Sequence, residues 1–215
     1  MTLPSFGGTS DWSVGSDSAF AATSPNGTHL SGAFTGAAAA NLTYSNYGAW
    51  ETTGSSNLGL SMGVFDSGVP GPASNDRPAS GSASYNGKAS GYATYVDAAQ
   101  LKLNGDVTLN ADFGANTISR RITNMTAASI DTSNRSIGVA IATNDIALSN
   151  GLITGTSFAG DARVEYTATQ QMSLGGAAGT FGGGFYGPSA AEAAGTISLT
   201  NPGAGNIIAA FGAAK

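Results

Sequence analysis

The sequence predicts a mainly β protein built around a closed barrel of at least eight strands, and three observations carry that reading. Stretch after stretch alternates apolar and polar residues with period two, the pattern of a half-buried strand. Glycine is abundant, 32 of 215 residues, and falls inside those stretches, where it marks a bend, a bulge or close backbone approach. A strongly curved sheet needs such points and a flat sandwich does not. Charged residues make up only 10% of the chain, too few for the solvated faces of a helical protein. A chain of this length holds one sizeable core and does not require two.

Taken in order, residues 1–41 form an irregular N-terminal segment rich in Gly, Ser, Thr and Ala, with a turn at SPNGT and two short strands near 18–22 and 29–35. The run Ala37 to Ala40 has no cap and cannot nucleate a helix alone. From Leu42 the period becomes two, and residues 42–215 read as the barrel domain. LTYSNYGAWETT is aromatic and Thr-rich, and NLGLSMGVF puts Leu58, Leu60, Met62 and Val64 on one face. SASYNGKASGYATY starts a strand at Ser82, and VTLNADF aligns Val107, Leu109, Ala111 and Phe113. FGAN turns the chain into TISRRIT, where Arg120 shares a face with Ile118 and Ile122, a costly place for an arginine unless it snorkels or pairs. Further strands are expected in IGVAIA from Ile137, LITGTSF from Leu152, RVEYTAT from Arg163, SLGGAAGTFGGGFYG from Ser173, TISLT from Thr196 and IIAAFG from Ile207. Pro70, Pro72 and Pro78 make residues 66–81 a long loop, and 124–137 reads as another; binding function concentrates in such loops.

The stretch TFGGGFYGPSAAEAAGTISLT places Gly182, Gly184 and Gly187 at the G-x-G-x-x-G spacing of a dinucleotide fold. No acidic residue follows about 20 positions on, and no long helices alternate with the strands, so the nucleotide reading fails. Ser189 and Glu192 instead have capping-box spacing, with Pro188 before them and Gly195 able to close the turn, so one short helical turn is expected over 188–195.

Catalytic constellations do not assemble. GTSFAG has Ala159 where a nucleophile elbow needs glycine, and His29, the only histidine, has nothing nearby to complete a triad. With no cysteine and one histidine, no zinc site forms, and DTSNRS and SNDRP match no ordered calcium loop. His29 retains one chemical option, a ligand contact that includes axial coordination of haem. Tyr44, Tyr47 and Trp50, at three-residue steps, are the candidates for an aromatic binding surface, against barrel packing as the structural alternative. Tyr85, Tyr92 and Tyr95 form a second such group. A net charge of −5 with eight scattered Lys and Arg opposes a nucleic-acid partner. The apolar runs fall far short of the roughly 20 residues of a membrane helix, and MTLPSF has neither the basic nor the apolar region of a signal peptide.

YSNYGAWETT, ASYNGKASGY, VTLNADFGANTIS and above all FGGGFYGPSAAEAAGTIS resemble the β-barrel domain of the transferrin-binding protein B family. That family comprises Gram-negative surface lipoproteins, with single-lobed relatives such as factor H-binding protein and the haemophilins. The similarity covers about 42–215, and its motif is matched by Tyr186, Gly187, Pro188, Ala190, Glu192 and Gly195, whose part is structural. The resemblance implies an eight-stranded antiparallel barrel with a small N-terminal handle-like segment. It also implies a non-enzymatic binding protein, extracellular or on the outer-membrane surface of a Gram-negative bacterium. Its ligand would be a host iron-carrier protein or haem, with a TonB-dependent receptor as partner. The family's lipid-bearing cysteine is absent, and the chain has room for one handle and one barrel. Two other readings compete: an integral outer-membrane barrel, which needs an outward apolar band, and a lipocalin-like carrier that uses the barrel interior.

Overall fold

The computed structural model describes residues 19–23, 29–34, 42–53, 60–68, 77–97, 99–131, 137–165 and 175–215. The SPNGT turn, the alanine run 37–40, residues 69–76 with Pro70 and Pro72, residues 132–136 and the whole of YTATQQMSL lie outside them. Thirteen strands are described: β1 (Ala19–Thr23), β2 (His29–Phe34), β3 (Ser45–Thr53), β4 (Leu60–Gly68), β5 (Ser82–Tyr95), β6 (Gln100–Asp112), β7 (Thr117–Ser129), β8 (Ile141–Ala142), β9 (Ile146–Thr154), β10 (Ser157–Val164), β11 (Ala178–Tyr186), β12 (Glu192–Asn201) and β13 (Gly205–Ala214).

β1 to β4 pair in chain order as a four-stranded antiparallel sheet. The others form the expected eight-stranded barrel: β5, β6, β7, β9, β10, β11, β12 and β13 each pair antiparallel with the next, and β13 closes on β5. β8 pairs with β7 at Thr126 and Ala127, on the edge that β7 shares with β9. One end of the barrel carries the turns at 113–116, 155–156 and 187–190, and the other carries those at 96–97 and 202–204 with the longer connections 130–145 and 165–177.

The interior is a filled core. Tyr85, Phe113, Phe158, Phe181, Phe185 and Phe211 are all buried, and neighbouring rings lie 5.2–6.3 Å apart, each burial stabilising by roughly 1.5–3 kcal/mol. β6 shows why the period was readable: Val107, Leu109 and Ala111 are buried, whereas Asn110 and Asp112 are exposed. Gly183 and Gly195 face each other across β11 and β12, where a β carbon on either would collide with the opposite strand's carbonyl.

Several expectations need correction. LITGTSF is a hairpin rather than one strand: Thr154 and Ser157 pair across Gly155 and Thr156, with Gly155 at φ 60°. IGVAIA keeps only β8 and a bridge from Ile137 to Ile130. Residues 124–129 continue β7, and residues 66–68 belong to β4, so both expected loops begin later. Over 188–195 the chain makes no helix: Ser189 and Ala190 both sit at φ 55°, the left-handed region, which reverses the chain straight into β12. Arg120 escapes the apolar face through an unusual backbone at φ 146°, and its side chain is exposed.

Candidate functional site

β3 and β4 lie against the outside of β12, β13 and β5, and most sequence-derived candidates meet in that seam. Leu42, Tyr47 and Ala210 form its apolar centre, with Val64 and Ala214 packed beside them. Three rings fill positions left open by glycine: Tyr47 over Gly212, Tyr44 over Gly187 and Tyr186 over Gly68. A side chain at any of these glycines would displace the ring that docks there.

Glu192 pins the seam. It is 3% exposed, and its carboxylate accepts from the backbone N–H of Thr43, from Tyr44 at 3.0 Å and Ser45 at 2.7 Å, and from the Ser45 hydroxyl at 2.8 Å. Three successive N–H groups converging on one anion form a nest, and such partners offset the large desolvation cost of burying a charge. The Tyr186 hydroxyl donates to Asp66 Oδ2 at 3.0 Å. Burial pushes the Asp66 carboxyl above its ordinary value, with the Tyr186 hydrogen bond opposing the rise. Burial likewise raises the phenols of Tyr47 and Tyr186. The Tyr47 hydroxyl has no hydrogen-bond partner among the described residues.

Tyr44, Tyr47, Tyr186, Gly187 and Glu192 therefore come together. Trp50 points to the other face of β3, its ring over Gly63. His29 opens β2 opposite Thr53, at the end of the sheet register. Pro188 is exposed on the turn, and Gly195 backs onto the Phe211 ring inside the barrel. Sequence reasoning had Asp66 and Gly68 only as the start of an expected binding loop, and it missed Ser45 and Gly212. A glycine's complementarity to a distant ring leaves no local pattern to read.

A second feature is the barrel end with the longer connections. Of the five large exposed hydrophobic side chains among the described residues, three are there, Val96, Ile137 and Val139. Ile130 ties the region together, since its N–H donates to the Gln100 carbonyl and it bridges to Ile137. Asp97, Asp131, Asp145 and Glu165 stand around it; Glu165 pairs with Arg121 at 3.4 Å, and burial raises the Asp145 carboxyl. Among the described residues no group of three or more His, Asp or Glu is placed to hold a metal ion.

Outward barrel positions carry Ser84, Asn86, Lys88, Asn110, Asp161 and Arg163, where a lipid-facing wall requires apolar side chains. Among the described residues the interior is packed with aromatic rings, and the pocket at one end of the core measures about 20 Å³, too small for a lipocalin-like ligand. Among the described residues no helix is long and apolar enough to cross a membrane.

These features define a class: a filled antiparallel barrel with a docked N-terminal sheet. Residues 77–215 match the family of the C-lobe and N-lobe β-barrels of Tf-binding protein B, and the chain belongs to that family. Among solved structures it resembles a variant of transferrin-binding protein B from Haemophilus parasuis Hp5, at 19% identity and TM-score 0.55, over 94% of this chain and 38% of that one. The isotype 1 protein from serogroup B Neisseria meningitidis gives 18% and 0.53, over 99% and 36%. Intact Ap-TbpB, with N and C lobes, gives 17% and 0.52, over 98% and 39%. The chain thus spans less than two fifths of the length of each of these structures, and at such identities the likeness is one of fold. No curated protein matches the sequence.

Proposed function

We propose that the chain is a non-enzymatic binding protein of the outer-membrane surface or extracellular space of a Gram-negative bacterium, and that it captures a host iron-carrier protein of the transferrin kind. The filled barrel carries this reading: with Phe158, Phe181, Phe185 and Phe211 packed inside, the ligand is met on the outer surface. The loop end, with Val96, Ile137 and Val139 exposed amid acidic residues, is the favoured contact. Apolar centres carry affinity, and surrounding charge steers encounter. Family membership supports the choice of partner, since the family is named for transferrin binding. Tyr44, exposed beside the seam, is a second candidate contact; Trp50, on the other face of β3, and His29, at the far end of the sheet, are separate candidates, and the buried Tyr47 acts only by packing the seam. A TonB-dependent receptor would take up the iron.

Surface plasmon resonance with iron-loaded transferrin over the immobilised chain tests this. Saturable binding, weakened about tenfold or more by Ile137→Lys with Val139→Lys, is expected from the loss of an apolar anchor. Absence of binding, with a haemin Soret shift that His29→Ala removes, would transfer the reading to haem. Absence of both would overturn iron acquisition.

A further inference from the structure

Asn144 presents a buried hydrogen-bond acceptor that nothing among the described residues answers. It sits in the three-residue link between β8 and β9 and is 4% exposed. The link is fixed on both sides. The Thr143 N–H donates to the Met125 carbonyl at 2.8 Å, and the Glu165 N–H donates to the Asp145 carbonyl at 2.9 Å. The Asn144 Nδ2 donates to the Glu165 carbonyl at 2.8 Å, which fixes the way Oδ1 faces. Oδ1 is buried and has no hydrogen-bond partner among the described residues. Buried acceptors are normally paired, so an orphan held in place by three such bonds points to a donor that arrives from outside the chain.

The surroundings say what kind of donor. Asn144 lines the small pocket at the loop end of the core, together with Tyr95, Thr143, Leu101, Met125 and Val164. Its volume of about 20 Å³ exceeds the roughly 10–15 Å³ that one water needs, and it is too small for a planar guanidinium or a ring. The wall is mostly apolar, which suits a methylene stem. Charge at the rim is mainly negative. Burial first, and then the charge of Asp97, raises the Tyr95 phenol, which sets that carboxylate near the pocket. Asp145 follows Asn144 in the chain, and Glu165, whose carbonyl holds the amide, has its carboxylate 3.4 Å from Arg121. A water satisfies Oδ1 but draws little from these carboxylates. A primary ammonium, compact and with three donors, draws on both. We propose that the pocket receives the tip of a lysine of the partner protein, its ammonium donating to Asn144 Oδ1 and its stem lying on the apolar wall. This rests on the loop end being the contact, and it names the group that the partner must present there.

The probe is Nα-acetyl-lysine N-methylamide, beside its norleucine and arginine counterparts and methylammonium chloride. Binding is followed by NMR titration of the Asn144 side-chain amide and the Met125 methyl group at constant ionic strength. Saturable shifts are expected with the lysine compound. The norleucine compound keeps the stem without the ammonium and should bind about tenfold more weakly or worse, from the loss of a hydrogen bond to charge. The arginine compound should also bind more weakly, since its head is too large. Asn144→Leu should abolish the Met125 shift. Asp97→Asn with Asp145→Asn should weaken the lysine compound severalfold and leave the norleucine compound unchanged. Asparagine keeps the side-chain acceptor that the Ala99 N–H uses at position 97, and an unchanged melting midpoint checks the fold of this variant. Absence of saturable shifts, as a pocket that takes water only would give, overturns the proposal. Equal binding of the norleucine compound overturns it too, and so does binding of methylammonium without the lysine compound, which would assign the pocket to a free amine. The loop-end contact is tested separately, by the Ile137 and Val139 variants, and stands if these titrations fail.

Discussion

At the scale of the residue, Glu192 shows how one carboxylate can fasten two sheets. Its side chain is buried and both oxygens accept hydrogen bonds, all from residues 43–45, nearly 150 positions away in the chain. Glu192→Gln keeps the shape but turns an amide N–H₂ toward donors. It is expected to cost about 2–4 kcal/mol, since hydrogen bonds to charge are strong and orphaned buried donors are expensive. Ser45→Ala removes a single donor and should cost about 1 kcal/mol. Urea denaturation measures both. Tyr47→Phe should act in the opposite sense: its hydroxyl is buried without a partner among the described residues, so its removal is expected to stabilise by about 1 kcal/mol. A destabilised Tyr47→Phe protein would mean that the hydroxyl is hydrogen-bonded after all.

At the scale of the element, period two made most strands legible and also set the limits of legibility. β5 begins and ends as expected, at Ser82 and Tyr95; its burial alternates only in the first half, and residues 89–93 are all buried, where β3 and β4 cover the outer face. The β9–β10 turn was missed because Gly155–Thr156 carries no Asn-Gly signal. IGVAIA misled for another reason: Ile137 and Val139 are exposed rather than packed, and a pattern cannot say what covers it. Strands of the N-terminal sheet and of the barrel share one period, so nothing local separates β3 and β4 from the barrel strands after them. Glu192 was legible as a capping carboxylate, but spacing sees only near neighbours, and its partners lie across the seam. Within the N-terminal sheet the Trp50 ring covers Gly63, an aromatic compensating for a strand glycine. Gly63→Ala puts a methyl where the indole lies. In a Trp12→Phe background it is expected to shift the Trp50 emission to the red and to cost about 1–3 kcal/mol by overpacking. Unchanged emission would show that the ring does not rest there.

At the scale of the whole molecule, the joint between sheet and barrel should respond to pH in the sense opposite to ordinary acid denaturation. Burial holds the Asp66 carboxyl above its ordinary value of 3.8, and the Tyr186 hydrogen bond opposes that rise. A carboxyl with a raised pKa binds its proton more tightly in the docked form, so stability increases as pH falls through the raised value, and the gain is complete at the ordinary one. Asp106 titrates the other way and lower. Its pKa is depressed, first by the hydrogen bond from Lys88, so the stability it contributes is present above the ordinary value and fades as pH falls through the depressed one. The windows of Asp66 and Asp106 are therefore separate. Asp145, also raised by burial, shares the mildly acidic range with Asp66 but stands at the loop end, so the amides of β3 and β4 are the local readout of Asp66. Hydrogen exchange of β3 and β4 amides, corrected for intrinsic rates, should slow as pH is lowered from neutral into that range. Asp66→Asn should abolish the dependence and match the acid-stabilised state at neutral pH. Tyr186→Phe removes the bond that favours the carboxylate, so it should loosen the sheet more at neutral pH than in mild acid. Amides that exchange faster on acidification, in wild type and Asp66→Asn alike, would assign the pH response of the joint to other groups.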